Sequence, residues 1–321
     1  MRMKELLKNK HLLMVLAFVV AAVVIIAGFP VYTRRGREAY HHFDDTKKHV
    51  SLYVNEYSEI LEMERIPDLI PWFERWYGNA GSNKLRLCRN LDKTPFITWE
   101  PKNLSLFRIA EGKYDGYIRD FFRRVSRICP DRDVLVRFAH EMELRPSYQK
   151  GWFSWQIDDG SYYIAAWKHV VEMGRELCPN IRWVWAPNRA DVAEEAYYPG
   201  PEWVDYIAVT LNQSTGRLVR YQTLKEFYER EGRRDHLLAY GKKVIIAETG
   251  YALDKNEDPE VVPAFIRSVF DCLKEEPEIA AIVFFNQDMN DGNHYRISGS
   301  SEYMQIFYEG LEEIDNQNAQ Q

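Results

Sequence analysis

Residues 134–141 read VLVRFAHE, a short apolar run broken by one arginine and closed by a glutamate. Seven other segments share its character. They are HVSLYV (49–54), KLRLCRN (84–90), PFITWE (95–100), RWVWAPN (182–188), VDYIAVTL (204–211), KVIIAETG (243–250) and IAAIVFFNQ (279–287). Each is rich in Val, Ile or aromatics and bounded by Pro, Gly, Asn or Asp, which predicts strands. Near-continuous apolarity means burial on both faces, the condition of a parallel sheet covered by helices. Helical patterns separate them at 114–128, 161–177, 223–231 and 260–274. Eight strands alternating with helices predict a (β/α)₈ TIM barrel, with a doubly wound open sheet as the other arrangement such alternation allows.

On the N-terminal side, the run at 12–29 (LLMVLAFVVAAVVIIAGF) carries no charged side chain. It is near the minimum length for a helix crossing a bilayer of about 30 Å, longer than a usual signal core, and no small-residue cleavage pattern follows it. The expectation is a single-pass membrane anchor over residues 1–30. A polar, basic tether follows at 31–48, then the barrel domain at 49–311 and a frayed polar tail at 312–321. Arg2, Lys4, Lys8 and Lys10 precede the span and Arg34, Arg35 and Arg37 follow it. The short N-terminal tail and the positive-inside rule place the barrel outside the cytoplasm.

The 321 residues carry a formal charge of −6, which argues against a nucleic-acid partner. Cysteines 88, 129, 178 and 272 show no metal-ligand spacing, and HE at 140–141 has Leu144 where a zinc motif needs a second His. No metal or cofactor is expected. Cys129 and Cys178 each end a helical pattern before a proline, and a disulfide between them is an option that spacing does not decide.

Three strands close on carboxylates: Glu100, Glu141 and Glu248. In a barrel, the C-terminal strand ends form the active-site rim. Glu141 and Glu248 close the fourth and seventh strands, roughly opposite each other across the mouth. A glycosidic bond is cleaved by such a pair, one carboxyl protonated to donate and one ionised to attack. Arg137 lies four residues before Glu141 on the same strand face, either as partner to a site carboxylate or as an ion pair at the barrel base. Trp152 and Trp155, in a loop with Gly and Ser, read as exposed platforms for sugar rings. Asn188 and Asn286 end strands, placed to bond sugar hydroxyls or to start helices. His140 reads equally as a site residue or as a core histidine.

The strings PFITWEP (95–101), VRFAHEM (136–142), AAWKHV (165–170), WVWAPN (183–188), YYPG (197–200), AETG (247–250) and VFFNQ (283–287) resemble glycoside hydrolase family 26 in their order. That family holds β-mannanases and β-1,3-1,4-glucanases. The resemblance spans about residues 95–290 and implies Glu141 as acid/base and Glu248 as nucleophile of a retaining enzyme. It also implies His140 beside the acid and Trp99 and Trp185 lining the cleft. Two departures stand out. HEM continues as ELRPSYQKGWFSW rather than into the family's aromatic cluster, and Asn212 stands near the place of a Tyr that contacts the nucleophile. The function expected is a retaining endo-β-glycanase that trims a polysaccharide at the membrane, alongside synthesis or export machinery. The departures motivate the alternative, a weak or inactive glycan-binding barrel in such a system. Full-length protein is expected to fractionate with membranes and resist carbonate extraction. A chain found wholly in the medium and starting after residue 30 would show a cleaved signal instead.

Overall fold

The computed structural model describes residues 40–54, 56–78, 81–144, 153–188, 190 and 193–320. The anchor over residues 1–30 and Trp152 lie outside them. Among the described residues no helix is long and apolar enough to cross a membrane. The chain divides into residues 1–40 and residues 41–321, and the second unit holds all eight strands.

Eight parallel strands form one sheet: β1 (His49–Leu52), β2 (Leu69–Arg75), β3 (Thr94–Glu100), β4 (Val134–Phe138), β5 (Ile181–Trp185), β6 (Tyr206–Gln213), β7 (Val244–Tyr251) and β8 (Ile279–Phe284). Ladders run from β2 stepwise to β8 and then to β1, so the sheet curls into a TIM barrel. The β1–β2 seam is held by side chains. Ser51 Oγ donates to the Leu69 carbonyl at 2.6 Å, and Tyr53 stacks on Phe73 with ring centroids 4.5 Å apart. Outside run α1 (Tyr57–Leu61), α2 (Ser82–Asn90), α3 (Leu106–Ala110), α4 (Asp115–Ile128), α5 (Gly160–Leu177), α6 (Leu224–Glu229), α7 (Arg233–Leu238), α8 (Val261–Glu275) and α9 (Ser301–Asn318).

Alternation along each strand sorts the core into two layers. Phe96, Leu135, Val184, Ala208, Ile245, Ala281 and Val283 fill the barrel interior. Ile97, Trp99, Val136, Phe138, Trp183, Trp185, Val209, Ile246 and Phe284 face the helices.

The structure corrects several expectations. The second strand is LIPWFER at 69–75, and KLRLCRN is part of α2. Pro71 argued against a strand, while the alternating Leu85 and Leu87 imitated one. Leu85 and Cys88 are buried at helical i, i+3 spacing. The polar tail is not frayed: α9 runs on to Asn318, with Leu311 and Ile314 buried. The Asn318 amide exchanges hydrogen bonds with the Lys48 backbone at 2.9 and 2.8 Å. Residues 41–48, read as tether, pack on the barrel. Phe43 joins the interior layer, and its N–H donates to Asp133 at 3.0 Å. Cys129 and Cys178 are free thiols, as are Cys88 and Cys272. Cys129 Sγ points at the Leu85 carbonyl and Cys178 Sγ at Asn180 Oδ1.

Trp99 does not line a cleft. It is fully buried and stacks on Phe121 of α4 with centroids 3.9 Å apart. Trp185 is likewise buried against Tyr198 and Tyr240. Both are one residue out of phase with the interior face. Trp99→Ala and Trp185→Ala are therefore each expected to cost about 3–5 kcal/mol of stability, read from denaturant midpoints. An affinity loss for glycan without a stability loss would return them to the cleft.

Candidate active site

The rim carboxylates are delivered by irregular backbone. After β4, Ala139 and Glu141 both take left-handed conformations, with φ 45° and 55°. Such conformations cost on the order of 1–3 kcal/mol each for non-glycine residues and persist where surrounding contacts dictate them. The Glu141 N–H donates to the Ala186 carbonyl beyond β5 at 2.7 Å. Its carboxylate is fixed by two neutral donors on one oxygen. Thr210 Oγ1 donates to Oε1 at 2.7 Å and Asn188 Nδ2 at 3.0 Å. The Asn188 N–H in turn donates to Glu143 Oε1 at 2.7 Å.

Glu248 arrives by a bulge. Along β7, Val209 of β6 pairs Ile246 while Thr210 pairs Glu248, and on the other side the register also slips between Ile246 and Thr249. β7 thus carries one extra residue at Ala247–Glu248, which turns Glu248 inward together with Ala247. There Arg137 Nη2 meets Glu248 Oε1 at 2.5 Å. Arg137 is completely buried, and it also donates to Thr98 Oγ1 and Tyr53 Oη, each at 3.0 Å. His140, Glu141 and Glu248 each bring a ligand atom within 4.8 Å of the others.

A model of glycosyl hydrolase family 26 matches residues 127–228, which include Glu141, Asn188 and Thr210. Over that segment, about a third of the chain, it is similar to glycoside hydrolase family 26. Solved structures share the fold. The catalytic domain of a Bacillus sp. JAMB-750 GH26 endo-β-1,4-mannanase is 13% identical, with 84% of this chain and 88% of that chain covered and a TM-score of 0.60. A Bacillus subtilis mannanase, man26, is 15% identical, with 87% and 91% covered and a TM-score of 0.56. GH26C from Muricauda sp. MAR_2010_75 is 14% identical, with 84% and 86% covered and a TM-score of 0.57. No curated protein sequence matches the chain.

The other expected site residues divide clearly. Arg137 and Asn188 bond the two carboxylates, and His140 stands beside them. Trp155 is not an exposed platform: it is fully buried, stacked on Phe153 at 4.3 Å, with its indole N–H on the His140 carbonyl at 2.7 Å. Asn286 is not free to bind sugar, because its amide is spent on backbone. It donates to the Tyr53 carbonyl and accepts from the N–H groups of Ile297 and Ser298. Asn212 lies two residues beyond Thr210 on β6, where the alternation turns it to the mouth, and its Oδ1 is buried without a hydrogen-bond partner among the described residues. Thr210 and Tyr53 join the site without a sequence signal of their own. Counting two residues back from Asn212 along the strand would have found Thr210. Glu100, the third strand-end carboxylate, is buried and paired with Lys102 at 2.9 Å.

His140, Glu141 and Glu248 offer one nitrogen and two carboxylate oxygens, a set suited to a divalent cation. Spacing does not reveal it, because the ligands come from two distant strands. Arg137 places a fixed positive charge against it.

Burial pushes the Glu248 carboxyl up to about 7; Arg137 pulls it down, and the charge of Glu141 pushes it further up. Burial also holds His140 well below the usual imidazole range, with Arg137 and Lys102 adding to the effect, so its ring is neutral at neutral pH. Glu248 thus gains its charge as pH rises through about 7. Arg137→Met removes the stabilising cation and is expected to move the midpoint upward, read by NMR titration of ¹³C-labelled glutamate carboxyls. A downward or absent shift would refute the pairing.

Proposed function

We propose that this glycoside hydrolase is a retaining endo-β-glycanase acting on a β-mannan or related β-glucan, with Glu248 as nucleophile and Glu141 as general acid/base. The observation that carries the reading is the pair of carboxylates within 4.8 Å at the barrel mouth. Retaining enzymes hold their carboxyls about 5–5.5 Å apart, whereas inverting ones need about 6.5–9.5 Å to admit a water. The endo-β-1,4-mannanases among the structural neighbours support the choice of substrate class.

The unequal surroundings support this choice of roles. Arg137, always charged, favours the ionised form of Glu248 and aims its oxygen. Glu141 receives two neutral donors on Oε1, which fix the carboxyl in place. In the first step a Glu248 oxygen bonds to the anomeric carbon as the glycosidic C–O bond breaks, and Glu141 delivers its proton to the departing oxygen. In the second, Glu141 takes a proton from water, the water oxygen attacks the anomeric carbon, and Glu248 leaves as a carboxylate. The hydrophobic segment at 12–29 suits an enzyme tethered beside machinery that makes or exports the glycan it trims.

Glu248→Ala is expected to abolish turnover on mannan, mixed-linkage glucan and the host's own exopolysaccharide. Glu141→Ala should be severely impaired on these glycans, while on an activated aryl glycoside azide should speed release and give a glycosyl azide of retained configuration. Parent activity should fall as pH drops through about 7, because Glu248 then takes up its proton. Turnover surviving in Glu248→Ala would overturn the assignment.

A further inference from the structure

We propose that Trp155 and Gln156 are positioning residues for Glu141, holding its backbone in the one conformation that aims its carboxyl at the glycosidic oxygen. This rests on the reading of Glu141 as acid/base. Neither residue touches the carboxyl groups, and neither belongs to β4 or to the loop start that carries Glu141. Their side chains return from a later segment and bond the two carbonyls on either side of the Glu141 Cα. Trp155 Nε1 donates to the His140 carbonyl at 2.7 Å, and Gln156 Nε2 donates to the Glu141 carbonyl at 2.9 Å. With the Glu141 N–H on the Ala186 carbonyl, both peptide units flanking Glu141 are pinned.

Those peptide units need pinning. Glu141 has φ 55° and Ala139 φ 45°, regions an L-residue leaves unless it is held. Trp155 is fully buried and Gln156 nearly so, so no water replaces either donor freely. The Trp155 ring is itself fixed, lying almost parallel to Phe153 (10° between planes) and next to His140. If Glu141 relaxed to a negative φ, its side chain would swing off Thr210 and Asn188, and the proton donor would leave its line to the leaving oxygen. A small displacement of a reacting group costs about 100-fold in rate.

The loss must therefore show in proton donation and not in attack by Glu248. Gln156→Met keeps the length of the side chain and removes the donor. On mannohexaose its rate is expected to fall about 10- to 100-fold. The burst of dinitrophenolate from 2,4-dinitrophenyl β-mannobioside, a leaving group that needs no proton, should stay within a few-fold of the parent, as should the melting profile. A crystal structure of Gln156→Met should show Glu141 off Thr210 and Asn188. Trp155→Phe keeps the ring stack, removes the other donor, and serves if Gln156→Met does not fold. An equal loss on both substrates would overturn the proposal by pointing to general disruption. So would a variant crystal structure with Glu141 still at positive φ on Thr210 and Asn188. If the parent cleaves neither substrate, the functional reading fails on this sugar, while the crystal structure still decides the positioning role.

Discussion

Arg137 sits in the middle of the barrel with no contact with solvent, and a fixed cation there is tolerable only beside an anion and further acceptors. Glu248 supplies the charge, and Thr98 and Tyr53 supply oxygens from β3 and from the end of β1. Much of the site follows from this need. β4 must present Arg137 inward, β7 must bulge to bring Glu248 to it, and the β1–β2 seam must close so that Tyr53 can reach. The same ion pair gives the two carboxylates different characters, since one faces a guanidinium and the other faces a hydroxyl and an amide.

Glu141 is held by a different logic. It stands past the end of its strand, where no ladder fixes the backbone, and its conformation is left-handed. Contacts from β5, β6 and the segment at 153–156 substitute for the missing ladder. Glu141 is thus fixed by tertiary hydrogen bonds, whereas Glu248 is fixed by secondary structure and charge. A barrel can in this way keep its sheet regular on most strands and spend its irregularities where two carboxylates must converge.

The tryptophans show how a correct pattern can carry a wrong inference. PFITWE and RWVWAPN are strands as expected, with Trp99 and Trp185 at their C-terminal ends. Strand alternation decides the rest: if Thr98 and Glu100 face inward, Trp99 faces the helices. Both rings serve the barrel–helix interface. Trp155, expected in solvent, is instead a buried buttress, because the segment at 153–156 packs under the rim with its indole N–H on the His140 carbonyl.

Seven of the eight strands, the acids at 141 and 248 and the inward arginine at 137 were legible in the sequence. They depend on local periodicity and on the rule that strand ends build a barrel's mouth. The second strand was not, because Pro71 broke its signal while α2 imitated one through Leu85 and Leu87. Which residues meet across the lumen was settled by the closed barrel and by nothing local. The bulge at Ala247–Glu248 reverses the side-chain phase of β7, and no single strand's pattern announces a bulge that depends on register with both neighbours. Thr210, Asn188, Tyr53 and Gln156 reach the site from four separate segments, so their role exists only once the ring of strands has closed around Arg137.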